Sequence, residues 1–106
     1  MLFRSGARLV PAKSPAQALA DADIVTSVTN SPDPVIPGDL VPDGCHVSGI
    51  GSFRPDMREF DETLMRKAEI YVESRATAMQ EAGELIAAHA SGTAPRNTWK
   101  IGRAHV

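Results

Sequence analysis

The sequence is poor in cysteine, histidine and aromatic residues. Its one cysteine, Cys45, excludes an internal disulfide and fits a reducing compartment. His46, His89 and His105 are scattered, and with a single cysteine they do not compose a metal-ligand set. Aromatic residues make up 5%, too few for a base-stacking ladder. Basic residues number 11 against 13 acidic ones, and no basic run breaks that balance, which argues against a nucleic-acid partner. No apolar run approaches the roughly 18 residues of a membrane span. The opening MLFRS is too short and too polar for a secretory leader, so the cytoplasm is the expected location.

What is present is an ordinary soluble composition, 42% hydrophobic and 23% charged, in a chain long enough for one small domain. Residues 7–12 read as a short extended stretch. Ser14-Pro15 supplies an N-cap and a proline at the first helical position, opening a short alanine-rich helix. The run IVTSVT at 24–29 is β-branched and apolar, a buried strand. NSPDP at 30–34 cannot continue a sheet and is a loop. HVSGIG at 46–51 is a second strand that ends in small residues, followed by a loop over 52–60. Asp61 caps a helix through Leu64 and Met65. EIYV at 69–72 is a third strand, and 74–88 form the last helix, with Ala78, Ala82, Leu85 and Ile86 on one face. Gly49-Ile50-Gly51 imitates the start of a G-x-G-x-x-G phosphate loop, but Arg54 stands where the third glycine belongs.

Strands alternating with helices imply parallel strands joined by crossovers. Ligands of such sheets bind beyond the carboxyl ends of the strands, here 28–31, 50–53 and 72–74.

The stretch from ADIVTSVTNSPDPVIPG through GIGSFRPDMREFD to IYVES and EAGEL closely resembles the ornithine cyclodeaminase/mu-crystallin family over residues 7–88. The R-P-D-x-R-E-x-D run with both flanking strands carries the likeness. The resemblance implies an NAD(P)-dependent oxidoreductase acting on a small amino or imino acid, in a homodimeric parent. It implies an α/β fold: part of a Rossmann-like, doubly wound parallel sheet in three α/β/α layers. Residues 1–92 would be the partial NAD(P)-binding domain. Residues 93–100 would begin the return to a substrate domain. The family's glycine-rich phosphate loop and acidic ribose binder have no counterpart here, so the chain is expected to be a fragment. The final IGRAHV equals one reading frame of a common sequencing adapter, and 101–106 are therefore expected to be a non-native tail. An alternative is a non-catalytic ligand-binding member of the same family. A proton-transferring lysine in the missing part would separate the two.

By the resemblance, Thr29, Asn30 and Ser31 contact the cofactor from the first strand end, and Ile50, Gly51 and Ser52 from the second. Small residues there would admit the nicotinamide. A turn that merely caps a strand is the plainer account. Phe53 stands where ornithine-cyclising members carry an aspartate that can accept a proton. It would wall the substrate cleft, and the R-P-D form of the motif is closer to the mu-crystallin-like branch, which usually has a small residue at this point. Arg54, Asp56, Arg58 and Glu59 read as a loop ordered by mutual ion pairs and helix capping. His46 reads as structural, His89 as a cation suited to a helix end, and Tyr71 as core. No catalytic residue is assigned.

Overall fold

A computed structural model describes residues 6–52 and 54–102. Ser14 starts helix α1 (Pro15–Leu19) by accepting from Gln17 N at 3.2 Å, with Pro15 in the first turn. Asp21, at φ 59°, turns the chain into strand β1 (Ile24–Ser27). The left-handed conformation is one that aspartate tolerates. Residues 7–12 form no strand beyond one bridge position at Arg8.

Strand β2 (His46–Gly49) pairs in parallel with β1, Ile24 opposite His46 through Ser27 opposite Gly49. Asp61 then opens helix α2 (Glu62–Lys67). Its Oδ1 accepts from Leu64 N at 2.9 Å, and both oxygens accept from Gly38 N at 3.0 Å. One carboxylate thus caps the helix and anchors the 3-10 turn Gly38–Leu40 to it. The buried face of the unit is built on Leu19, Val41, Phe60, Leu64, Met65, Leu85 and Trp99.

Strand β3 (Tyr71–Val72) is shorter than the sequence implies and makes no ladder with β2. It pairs in parallel with strand β4 (Lys100–Ile101), which the sequence reading missed. Lys100 bonds Glu69, and Tyr71 Oη donates to the same carboxylate at 2.9 Å. Tyr71 is therefore at the surface, 59% exposed, and not in the core as expected. The next residue, Val72, packs on the core, and alternation along the strand points Tyr71 the other way. Ile101 and Gly102, assigned above to a tail, lie along β3, with Gly102 N donating to Val72 O at 3.0 Å.

The long helix expected over 74–88 is two helices, α3 (Arg75–Glu81) and α4 (Gly83–Ser91). The break at Ala82, φ −91° and ψ 93°, lets Gly83 press on the 55–57 loop. A Cβ on Gly83 would lie 2.1 Å from Met57 O. At the far end of α4, His89 Nδ1 accepts from Arg96 N at 2.8 Å, and its ring meets the Trp99 ring edge-on. It sits in the last turn of the helix, as expected, and ties that helix to the following turn.

The chain carries α/β structure with parallel strand pairs, a partial domain. One face of the β1–β2 pair meets the core through Val25 and Val47. The other carries Ile24, Val28 and Ile50, which are 71%, 67% and 63% exposed. No helix among the described residues is long and apolar enough to cross a membrane. Apolar strand surface of this kind promotes association. We predict concentration-dependent self-association of the isolated chain in sedimentation velocity, relieved by the double substitution Ile24→Lys, Val28→Lys.

Candidate functional site at the carboxyl edge of two parallel strands

The carboxyl ends of β1 and β2 are joined by one buried side chain, Glu59, which is 1% exposed. Its Oε2 accepts from Ser27 Oγ at 2.5 Å and from Thr29 N at 2.6 Å. Its Oε1 accepts from Gly51 N at 2.8 Å. Glu59 is itself held by its backbone. Its carbonyl accepts from Val35 N and Ile36 N, and its N–H donates to Glu84 Oε2 at 3.0 Å. Four segments distant in sequence therefore meet on one residue.

The charge state follows from the donors. Burial acts to raise the Glu59 pKa, but the bonds from Ser27, Thr29 N and Gly51 N outweigh it and hold the carboxyl below its usual value. Glu84, at the start of α4, is pushed the other way, chiefly by burial and further by the Glu59 charge. The bond from Glu59 N only partly offsets this.

In the charged cluster of the 54–59 loop, the Arg54–Asp56 contact, 3.4 Å and exposed, matches the expected mutual pairing. Glu59 does not. It is inside the protein on neutral donors, and the reading of it as a surface ion-pair residue is corrected. Met57, Glu59 and Phe60 are buried and Arg58 is exposed, a pattern that the letters M-R-E-F do not announce.

The residues expected to line the edge divide into two groups. Thr29 has its N–H on Glu59 and its hydroxyl on Ser31 N. Ser31 Oγ turns back to its own loop, donating to Asp33 O at 2.6 Å. Ser52 Oγ donates to Met57 O at 2.7 Å and accepts from Gly83 N at 3.3 Å. Gly51 is pressed on Thr29, where a Cβ would lie 1.9 Å from Thr29 O. Gly49 faces the Phe60 ring, where a Cβ would lie 2.5 Å from Cε2. Protein atoms fill the space both glycines leave, so their smallness serves strand packing. Asn30 and Ile50 form the second group. Both are exposed, and Asn30 makes no hydrogen bond with described residues. Phe53 lies outside the described residues.

The edge thus presents an apolar surface, Val28 and Ile50, beside one uncommitted amide. The profile of the ornithine cyclodeaminase/mu-crystallin family matches residues 2–102 of this chain. The chain belongs to that family. It is 48% identical over 75 residues to the Delta(1)-pyrroline-2-carboxylate reductase of Paracoccus denitrificans, covering 71% of this chain and 24% of that protein. It is 40% identical over 70 residues to the ketimine reductase mu-crystallin of Mus musculus, covering 66% and 22%. Among solved structures it resembles the Thermococcus litoralis Delta(1)-pyrroline-2-carboxylate reductase in complex with NADH and L-proline. There the TM-score is 0.79 at 26% identity, over 85% of this chain and 28% of that one. The chain spans about a quarter of the length of these relatives. Members of the family are NAD(P)-dependent, with a Rossmann-like fold.

The two acids predict opposite pH behaviour. The Glu59 carboxyl titrates below its unfolded value near 4.5, so its stabilisation is complete above that pH and is lost as pH falls through the folded pKa. Glu84 titrates above 4.5, so it is best tolerated in acid and reduces stability as pH rises through its folded pKa. Glu59→Gln leaves at least one buried N–H facing an amide N–H, which costs about 1–3 kcal/mol at pH 7. Glu84→Gln keeps an acceptor for Glu59 N without the charge and is expected to be neutral or stabilising. Urea denaturation from pH 7 to pH 3 checks both, and the deficit of Glu59→Gln should shrink as the pH falls below 4.5.

Proposed function

We propose that this chain forms the nicotinamide-side edge of the NAD(P)-binding domain of an imino-acid reductase. The observation that carries the reading is the joined edge itself. Glu59 fixes the ends of β1 and β2 together and leaves Asn30 and Ile50 facing outward. Ligands of parallel sheets gather at such an edge.

The residues present suit the ring end of a dinucleotide better than its diphosphate. The backbone donors Thr29 N and Gly51 N are spent on Glu59. A fixed carboxylate behind them repels an anion. An apolar wall and one amide can instead pack and orient an uncharged carboxamide ring. When bound, the nicotinamide supplies the hydride. The residues of this chain would hold the ring's face in place and keep water from it. Phe53, next after Ser52, would extend that wall toward the substrate. The reductase names of the Paracoccus and mouse relatives support an imine substrate in preference to ornithine. A homodimeric parent and a cytoplasmic setting belong to the same proposal.

The test is a chimaera in which residues 24–102 replace the matching segment of the Paracoccus reductase. NADH-dependent reduction of Delta(1)-pyrroline-2-carboxylate is the expected result, and a folded but inactive chimaera would refute the reading. The isolated chain, with no glycine-rich phosphate loop among its described residues, should bind NADH only weakly, with a Kd of about 1–10 mM by calorimetry. In the chimaera, Phe53→Asp should raise turnover of ornithine relative to the cyclic imine. A charge-assisted contact is worth about 1.5–3 kcal/mol, roughly ten- to a hundred-fold in the ratio of kcat/KM.

A further inference from the structure

The geometry points to Glu59 as a positioning residue that sets the shape of the cofactor edge through the backbone of Thr29 and Gly51, with Glu84 as its support; this rests on the reading of that edge proposed above. Three observations carry it. First, the carboxylate is buried on hydroxyl and backbone N–H donors, with no salt bridge to a cation found among the described residues. A buried anion without a cationic partner marks a candidate for a functional role. Second, its oxygens divide between the strand ends: Oε2 on the β1 side and Oε1 on the β2 side. The two loops are thus held by a rigid three-atom bridge, and the outward residues Asn30 and Ile50 each adjoin a bridged one. Third, Glu84 Oε2 takes the Glu59 N–H and fixes its backbone from α4. The E of R-P-D-x-R-E-x-D and the second E of EAGEL therefore belong to one device.

The ionisable groups around it are few. Glu84 faces it from α4, Arg58 precedes it in the chain and attracts Glu84, and the Arg54–Asp56 pair lies exposed in the same loop. The carboxylate's own contacts are neutral. Its titration should consequently be read by the amides of both loops at once.

The test uses the 106-residue chain, labelled with nitrogen-15 and followed by NMR from pH 7 to pH 2.5, and separately at pH 7 with and without NADH at several millimolar. Thr29 and Gly51 amides should shift together on one curve with a midpoint below the usual carboxylate value. Ser27→Ala removes one partner and should raise that midpoint. Glu59→Gln should abolish the shared curve and reduce NADH-induced shifts at Asn30 and Ile50 at least threefold. Separate midpoints for Thr29 and Gly51 in the wild-type chain, a comparison that needs no variant, would overturn the proposal. So would a midpoint unmoved by Ser27→Ala, or NADH shifts of equal size in wild type and Glu59→Gln. A shared curve with no NADH shifts in the wild type would instead reject this edge as a cofactor site, and the positioning role with it. An inactive chimaera beside a shared curve and Glu59-dependent NADH shifts would overturn only the reductase reading.

Discussion

The edge of this domain depends on a carboxylate that sits where two parallel strands end. Strand ends are awkward places. The ladder stops, and the next backbone N–H groups need acceptors that the sheet no longer supplies. In β1 and β2 these groups are Thr29 N and Gly51 N, and Glu59 supplies both acceptors. A carboxylate suits this better than an amide, because both its oxygens accept. The charge is tolerated because three donors converge on it. Removing any one would leave the others holding a less favourable anion, so the contacts are mutually dependent.

Size is the second constraint, and it follows from the first. For one side chain to reach both loops, the loops must nearly touch. Gly51 permits this by resting directly on the Thr29 backbone. Gly83 permits the matching approach on the other side, where α4 meets Met57 O and brings Glu84 to Glu59 N. The break at Ala82 has the same origin. A continuous helix over 74–88 would carry Glu84 in a different direction from the one observed. The interruption falls just before the segment that carries Glu84 to Glu59 N.

These relations explain what was legible in the sequence. Ser14 and Asp61 were read correctly as helix caps. The run expected as a buried strand over 24–29 is a strand over 24–27 with one face bare, because nothing among the described residues packs on Ile24 and Val28. Family membership was legible because it rests on a long motif whose letters can be matched without knowing what they do. Tertiary relations were not. Nothing near Glu59 in sequence announces that its partners lie 30 and 8 residues away. Charged letters in R-P-D-x-R-E-x-D suggested surface pairing, and only the burial of Glu59 contradicts that. β4 was missed because a two-residue strand has no periodicity to detect. Tyr71 was misplaced because an apolar neighbourhood in sequence does not specify which side of a marginal strand faces water.

The same accounting separates what this chain can do from what it needs. Its edge offers apolar surface and an amide, and its backbone donors are already neutralising a charge of their own. An electrostatic environment of that kind discriminates against phosphate and accepts a neutral or cationic ring. The anion-binding part of a dinucleotide site requires the opposite, free N–H groups at a helix start. The two demands are incompatible at one strand end. Under the reading proposed above, a dinucleotide would be held from two places, with its charged middle away from Glu59. The bare face carrying Ile24, Val28 and Ile50 is consistent with that division, since it leaves apolar surface that further structure can cover. The clamp and the bare face belong to one pair of strands: one fixes its ends from within, and the other leaves its apolar residues open.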